Sequence, residues 1–240
     1  MPIMTNKQRL LTQIFTSLKK RYEPAEPEAR PVFEQFLYAI CREGAPRELA
    51  DRAYRNLQEH FFDWNEVRVS SVREVEECLG KLPDAEVRAT RLLSFLQEVF
   101  ETTFSFDLES LHKKGLKQAA KQLARYQAAN DFVVSWVVQH SLGGHAIPLD
   151  VPSLRVLRRL GLLDDDQEDL EALRARLEHL IPKSRGPLFS ELISALAHDE
   201  DWKDDPSCPL RPAVHDGPLG EDNGSPASSS GERSSRPKPR

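Results

Sequence analysis

The sequence predicts an all-α fold, and three observations predict it. Apolar residues recur at helical spacing along most of the chain, breaks rich in glycine and proline separate the recurrences, and no alternating β-rich run of useful length falls among them. Only the short stretch 67–69, Val-Arg-Val, reads as β-like.

The elements follow in order. Leu10, Leu11, Ile14, Phe15 and Leu18 form the stripe of an N-terminal amphipathic helix, and Phe33, Phe36, Leu37 and Ile40 that of the first core helix. The stretch 64–79 continues the pattern. Leu92, Leu93, Leu96, Val99 and Phe100 come next, then Leu116, Ala120 and Leu123, the apolar stretch 132–138 and a late helix over 188–196. Breaks fall at residues 23–31, 44–46, 80–83, 143–148, 182–187 and 206–212. The expectation is roughly ten helices of about 10 to 20 residues, joined by short loops. Beyond residue 206 the periodicity stops, and residues 217–240 are rich in Ser, Pro and Gly, a composition that buries too little surface to fold alone. This tail is expected to be disordered; it ends in a basic stretch with Arg233, Arg236, Lys238 and Arg240.

At 240 residues the chain has room for one large domain or two small lobes. Its 38 acidic residues outnumber its 33 lysines and arginines, so binding to a polyanion requires a local basic patch. No apolar run approaches the roughly 18 to 20 residues that span a bilayer, and no leader is evident, which predicts a cytoplasmic protein without membrane contact. Cys41, Cys78 and Cys208 are far apart and form no C-x-x-C pair; Cys41 and Cys78 read as small core residues. The acidic run Asp199, Glu200, Asp201, Asp204 and Asp205, near His198 and His215, reads as a solvated charged stretch rather than a metal site.

The most informative stretch is 142–163, which contains Leu-Gly-Gly-His-Ala-Ile-Pro-Leu-Asp150 and then Val-Pro-Ser-Leu-Arg-Val-Leu-Arg-Arg-Leu-Gly. Asp150 precedes a helix with Pro152 in its first turn, so its side chain can cap the exposed N–H groups. Gly143, Gly144, Pro148, Asp150, Arg155, Arg159, Leu160 and Gly161 also follow a second pattern: a glycine loop, a proline or apolar residue before an aspartate, and a helix with an arginine and a following Arg-Leu-Gly. On these residues the chain resembles the endonuclease III-like DNA glycosylases of the helix-hairpin-helix Gly/Pro-Asp (HhH-GPD) superfamily, as a distant and degenerate member. From about residue 31 to about residue 209 the resemblance is mostly one of apolar pattern.

The resemblance implies an all-α, two-lobed helical HhH-GPD fold. Residues 1–30 would supply an N-terminal helix packing on the C-terminal lobe, 31–142 a central lobe with a degenerate hairpin, 143–205 the C-terminal lobe carrying Asp150, and 206–240 the disordered tail. It also implies base-excision repair on double-stranded DNA by a monomer. Breaking an N-glycosidic bond develops positive charge on the sugar, which a carboxylate can stabilise, and the base must first leave the stack. Asp150 is the residue carried over to that catalytic role; Arg155 and Arg159 are read as structural partners of carboxylates.

Other family features are missing. The hairpin pattern L-P-G-[VI]-G, whose glycines let backbone N–H groups approach a phosphate, falls on Leu123, Ala124, Arg125, Tyr126 and Gln127. The lyase lysine falls near Ala129 or Phe132, and no lysine lies between Lys121 and Asp150, so lyase activity is not expected. The family's gap-filling glutamine falls near Glu43, where a carboxylate would repel DNA. Of the cluster pattern C-x6-C-x2-C-x5-C only Cys208 stands in the right neighbourhood, so neither an iron–sulfur cluster nor another cofactor or metal is expected.

Lys113, Lys117, Lys121 and Arg125 recur every four residues, with no acidic residue between Ser110 and Asn130. They are expected to share a helical face and serve as DNA-phosphate contacts in place of the hairpin; a solvated lysine-rich face is the alternative. Trp136 reads as core, Trp64 and Trp202 as side chains able to stack a base, and His140 and His145 as ordinary polar residues. Two functions fit these features: a monofunctional glycosylase using Asp150, or a non-catalytic module that kept the fold and binds DNA or a protein partner.

Overall fold

A computed structural model describes residues 6–23, 27–163, 170–199 and 201; the predicted tail over 206–240, Cys208, Trp202, Glu200, Asp204 and Asp205 lie outside the described residues. The described chain is helical throughout: α1 (Asn6–Arg21), α2 (Val32–Arg42), α3 (Arg47–His60), α4 (Trp64–Val69), α5 (Val72–Leu79), α6 (Ala85–Thr103), α7 (Leu116–Leu123), α8 (Asp131–His140), α9 (Val151–Arg159), α10 (Leu170–Leu180) and α11 (Gly186–His198). Single 3₁₀ turns cover Glu109–Lys113 and Lys183–Arg185. No helix among the described residues is long and apolar enough to cross a membrane.

Short polar side chains set several of the starts. Asp63 accepts the Glu66 N–H at the head of α4, Ser71 and Glu74 form a reciprocal capping box on α5, and Asn130 accepts the Val133 N–H on α8. The β-like residues 67–69 are the end of α4, because the Asp63 cap starts a helix whose Val67 is buried where α4 packs on α6. The break expected over 182–187 is shorter than its prolines suggest. Pro187 lies in the first turn of α11, where a missing N–H costs nothing.

Apolar side chains segregate into two cores. One is built from α2 through α8, with Phe36 and Phe95 stacked at 3.8 Å between ring centroids and Phe33 against Phe95, Phe106 and Trp64. Cys41, Cys78 and Trp136 lie in this core. The second joins Leu11, Ile14 and Leu18 of α1 to Ile147, Leu149 and the apolar faces of α9, α10 and α11. The N-terminal helix therefore shares its core with the last helices of the described chain.

The end of α2 lies where the two cores meet, and it is held by two buried arginines. Arg88 of α6 donates to the carbonyls of Ile40, Cys41 (3.4 Å) and Glu43 (2.5 Å) at that end, and to Pro83 (2.6 Å) on its own helix's approach. Arg42 donates to Ala45 O at 2.5 Å and Ser194 Oγ at 2.8 Å and is paired with Glu191 of α11 at 3.5 Å. Replacing Arg88 with Leu would leave these carbonyls without their donor. The expected loss is about 2–4 kcal/mol of unfolding free energy, read from the urea midpoint; a loss under about 1 kcal/mol would show that the α2 terminus does not depend on this side chain.

Candidate functional site

Asp150 stands at the head of α9, in the seam between the two cores. Its Oδ1 accepts the Ser153 N–H at 2.9 Å, capping the helix, and its Oδ2 accepts the Gly44 N–H at 2.9 Å from the loop after α2. The residue is 6% exposed. One carboxylate thus ties the first turn of α9 to a loop 106 residues earlier in the chain. Gly44 presents its N–H from a left-handed conformation (φ +63°) that a side chain would strain. The preceding loop is shaped by Gly144, where an added Cβ would lie 2.4 Å from Val138 Cγ1.

The turn between α7 and α8, residues 124–130, overlaps the segment 123–127 expected to be the degenerate hairpin, and side chains hold it. Arg91 of α6 donates from Nη2 to Ala128 O at 2.9 Å and from Nη1 to Glu43 Oε2 at 2.8 Å. Asn130 caps α8 with Oδ1 and donates from Nδ2 to Glu43 Oε1 at 2.7 Å. Glu98 of α6 accepts the Gln127 N–H on both oxygens, at 3.2 and 3.1 Å. Glu43, expected to repel DNA, is paired with Arg91 and fastens the α2–α3 loop to the turn.

The predicted basic stripe is corrected. Lys117 and Lys121 share α7, but Lys113 ends a 3₁₀ turn and is cut off by Gly115, whose extended backbone (φ −62°, ψ 145°) starts α7 anew. Arg125 lies past the end of α7, in the turn. All four are exposed, so they form a basic surface from two elements and a turn rather than one helical face. Lys114, between them, bonds Gln122.

Other predicted residues serve the framework. Trp136 is 3% exposed and tilts against His140 at 4.2 Å between ring centroids, and His145 Nε2 bonds Glu178 O at 2.8 Å. Trp64 is half-buried against Phe33 and Tyr54. Arg155 and Arg159 are exposed on α9. Burial and the neighbouring Arg42, Arg30 and Arg47 push the His140 imidazole down to about 4, and burial pushes the Cys41 thiol up to about 12. A cavity between α1, α3 and α11 contains Arg21, Arg42, Arg47, Glu191, His198 and Asp199; Asp150 is not in its wall. Sequence reasoning missed Gly44, Arg91, Glu98 and Asn130. Gly44 had a signal, as the glycine of a short break, but nothing in sequence marked it as the partner of Asp150.

No sequence-family model and no characterised protein sequence matches the chain. Solved structures do. A non-covalent endonuclease III–DNA complex superposes with a TM-score of 0.67 at 16% identity, over 88% of this chain and 96% of that one. A thermostable thymine-DNA glycosylase gives 0.58 at 13%, over 80% and 86%, and the Helicobacter pylori 3-methyladenine DNA glycosylase 0.53 at 17%, over 88% and 93%. The chain has the endonuclease III-like HhH-GPD fold. The four-cysteine cluster pattern does not fit it, because the whole sequence has three cysteines and two of them, Cys41 and Cys78, are buried core thiols.

Two measurements probe this seam. Asp150→Asn places an amide donor against one of two N–H groups, and the expected cost is about 1–3 kcal/mol by chemical denaturation; no loss would mean that the bonds to Gly44 and Ser153 are dispensable. For His140 the folded value of about 4 lies below the ordinary 6.5, so the unfolded chain takes up the proton first. Its stabilising contribution is full above about pH 6.5 and is lost as pH falls toward 4, by about 3 kcal/mol in all. His140→Gln should flatten that part of the stability profile; a slope equal to that of the parent protein would rule the imidazole out as its source.

Proposed function

We propose that the chain binds double-stranded DNA as a monomer and hydrolyses an N-glycosidic bond in base-excision repair, with Asp150 as the charge-stabilising carboxylate and no lyase step. The observation that carries this reading is the position of Asp150: a carboxylate at the head of α9, in the seam of a fold otherwise found in solved complexes of DNA glycosylases with DNA. In the reaction the C1′–N bond breaks with its electron pair leaving on the base, and positive charge spreads over C1′ and the ring oxygen. A fixed carboxylate stabilises that charge without having to transfer a proton. Water then bonds to C1′ and loses a proton, leaving an abasic site with its strand intact. The turn over 124–130 supplies no lysine, so no Schiff-base step follows. Lys113, Lys117, Lys121 and Arg125 are assigned to the phosphate backbone, which gives salt-sensitive binding with little sequence preference.

A second reading is favoured by a specific observation. Both oxygens of Asp150 already accept backbone N–H groups and the residue is almost fully enclosed, an arrangement that suits a purely structural clasp in a non-catalytic module binding DNA or a protein. Duplexes bearing uracil, oxidised bases or alkylated bases separate the two. The expected result is alkali-labile sites on one class, no borohydride-trapped adduct, and a loss of about 100-fold or more in Asp150→Asn that remains folded. No base release above that variant would leave only the second reading. Changing Lys117, Lys121 and Arg125 together to Glu should weaken duplex binding at least about 10-fold at low salt and flatten its salt dependence; unchanged affinity would remove the basic surface from the interface.

A further inference from the structure

The turn between α7 and α8 is already occupied by an anion of the protein itself. Glu98, half-buried on α6, directs both carboxylate oxygens at the Gln127 N–H, and its Oε1 also accepts from Ser94 Oγ at 3.3 Å. The N–H groups of Ala124, Arg125, Tyr126 and Ala129 bond local carbonyls of residues 120 to 126, whereas that of Gln127 is turned outward to a carboxylate. A turn N–H presented this way carries partial positive charge and selects anions. Gln127 is exposed, and so are Lys121 and Arg125, six and two residues before it, so an external anion approaching this stretch meets cations as well as the N–H.

The contact helps to hold the turn, yet it lies at the exposed surface. Water can satisfy an N–H at an exposed turn, and the carboxylate of a half-buried helical residue can turn to solvent. Its effect on an incoming polyanion is larger, because it both fills the N–H and sets a negative charge among the cations that would attract the polyanion. We propose that Glu98 is an intramolecular competitor for a nucleic-acid phosphate: it holds the Gln127 N–H in the free protein and gives it up when a phosphate, drawn by Lys121 and Arg125, takes its place. This rests on the DNA-binding reading above and adds a residue that restrains binding rather than supporting it.

The test is fluorescence anisotropy on an unmodified labelled duplex at several salt concentrations, comparing the parent protein with Glu98→Gln, Glu98→Asp and Glu101→Gln. Glu98→Asp keeps the charge but shortens the reach to the turn; Glu101→Gln removes an exposed charge one turn along the same helix without touching residue 127. Glu98→Gln is expected to tighten binding about 5- to 10-fold at low salt and to steepen the slope of log K against log salt by up to about 0.9, because the carboxylate no longer offsets one of the cations that neutralise a phosphate. Glu98→Asp should move both readouts in the same direction and Glu101→Gln should change affinity less than about 2-fold. If the parent protein binds but Glu98→Gln gains nothing, gains no more than Glu101→Gln, or gains without a steeper slope, the competitor role is overturned while DNA binding stands. If none of the four proteins binds, both fall together.

Discussion

The polar groups at the end of α2 are the constraint around which the molecule is arranged. A helix end leaves carbonyls without partners, and here that end lies between two apolar cores where water cannot serve them. Arg88 satisfies three of those carbonyls from α6, and Arg42 turns back to Ala45 while reaching Ser194 and Glu191 on α11. Two residues later Gly44 offers its N–H to Asp150. The loop after α2 is thus bonded to α6, α9 and α11, and through Glu43 to the turn before α8. Each bond is modest alone, but all except the Asn130–Glu43 bond are buried or half-buried, where the cost of leaving a bond unmade exceeds the gain of making it.

That arrangement uses Asp150 fully as a cap and interlobe clasp. The catalytic role we propose for it is compatible with that use, because electrostatic stabilisation asks for a fixed charge rather than a free proton acceptor, and two N–H donors fix it well. The same economy marks the turn over residues 124–130. Where glycines would let the backbone meet a phosphate, Arg91, Glu43 and Glu98 hold the turn by side chains, and cations at Lys117, Lys121 and Arg125 face solvent. On the DNA-binding reading proposed above, contact with a polyanion at this surface would rest mainly on side-chain charge, with the Gln127 N–H as a backbone donor, and would be sensitive to salt and to nearby carboxylates.

Much of this was legible in the sequence where a local rule governs. Asp150 before Val-Pro-Ser reads as a cap because capping needs only the residue and the helix it precedes. Trp136 reads as core from the apolar stretch around it, and Cys41 and Cys78 from the burial tendency of unpaired cysteines. The basic stripe misled for an equally local reason: four-residue spacing assumes one unbroken helix, and Gly115 and the end of α7 divide it. Glu43 has a non-local partner that the sequence left out. Its charge reads as repulsive in isolation, and its neutralisation depends on Arg91, 48 residues away in the chain.

By itself, then, the amino-acid sequence determined the helical class, most of the helices and breaks, and Asp150 as a helix cap, because periodicity and capping act over a few residues. The tertiary structure alone decided that Gly44 shares the Asp150 carboxylate, that Arg88 and Arg42 close the end of α2, and that Glu98 occupies the Gln127 N–H. Those pairings join residues 3 to 152 positions apart, most of them on different helices. They are fixed by how the two cores pack, since only burial together makes a given donor and acceptor the partners that leave fewest polar groups unsatisfied.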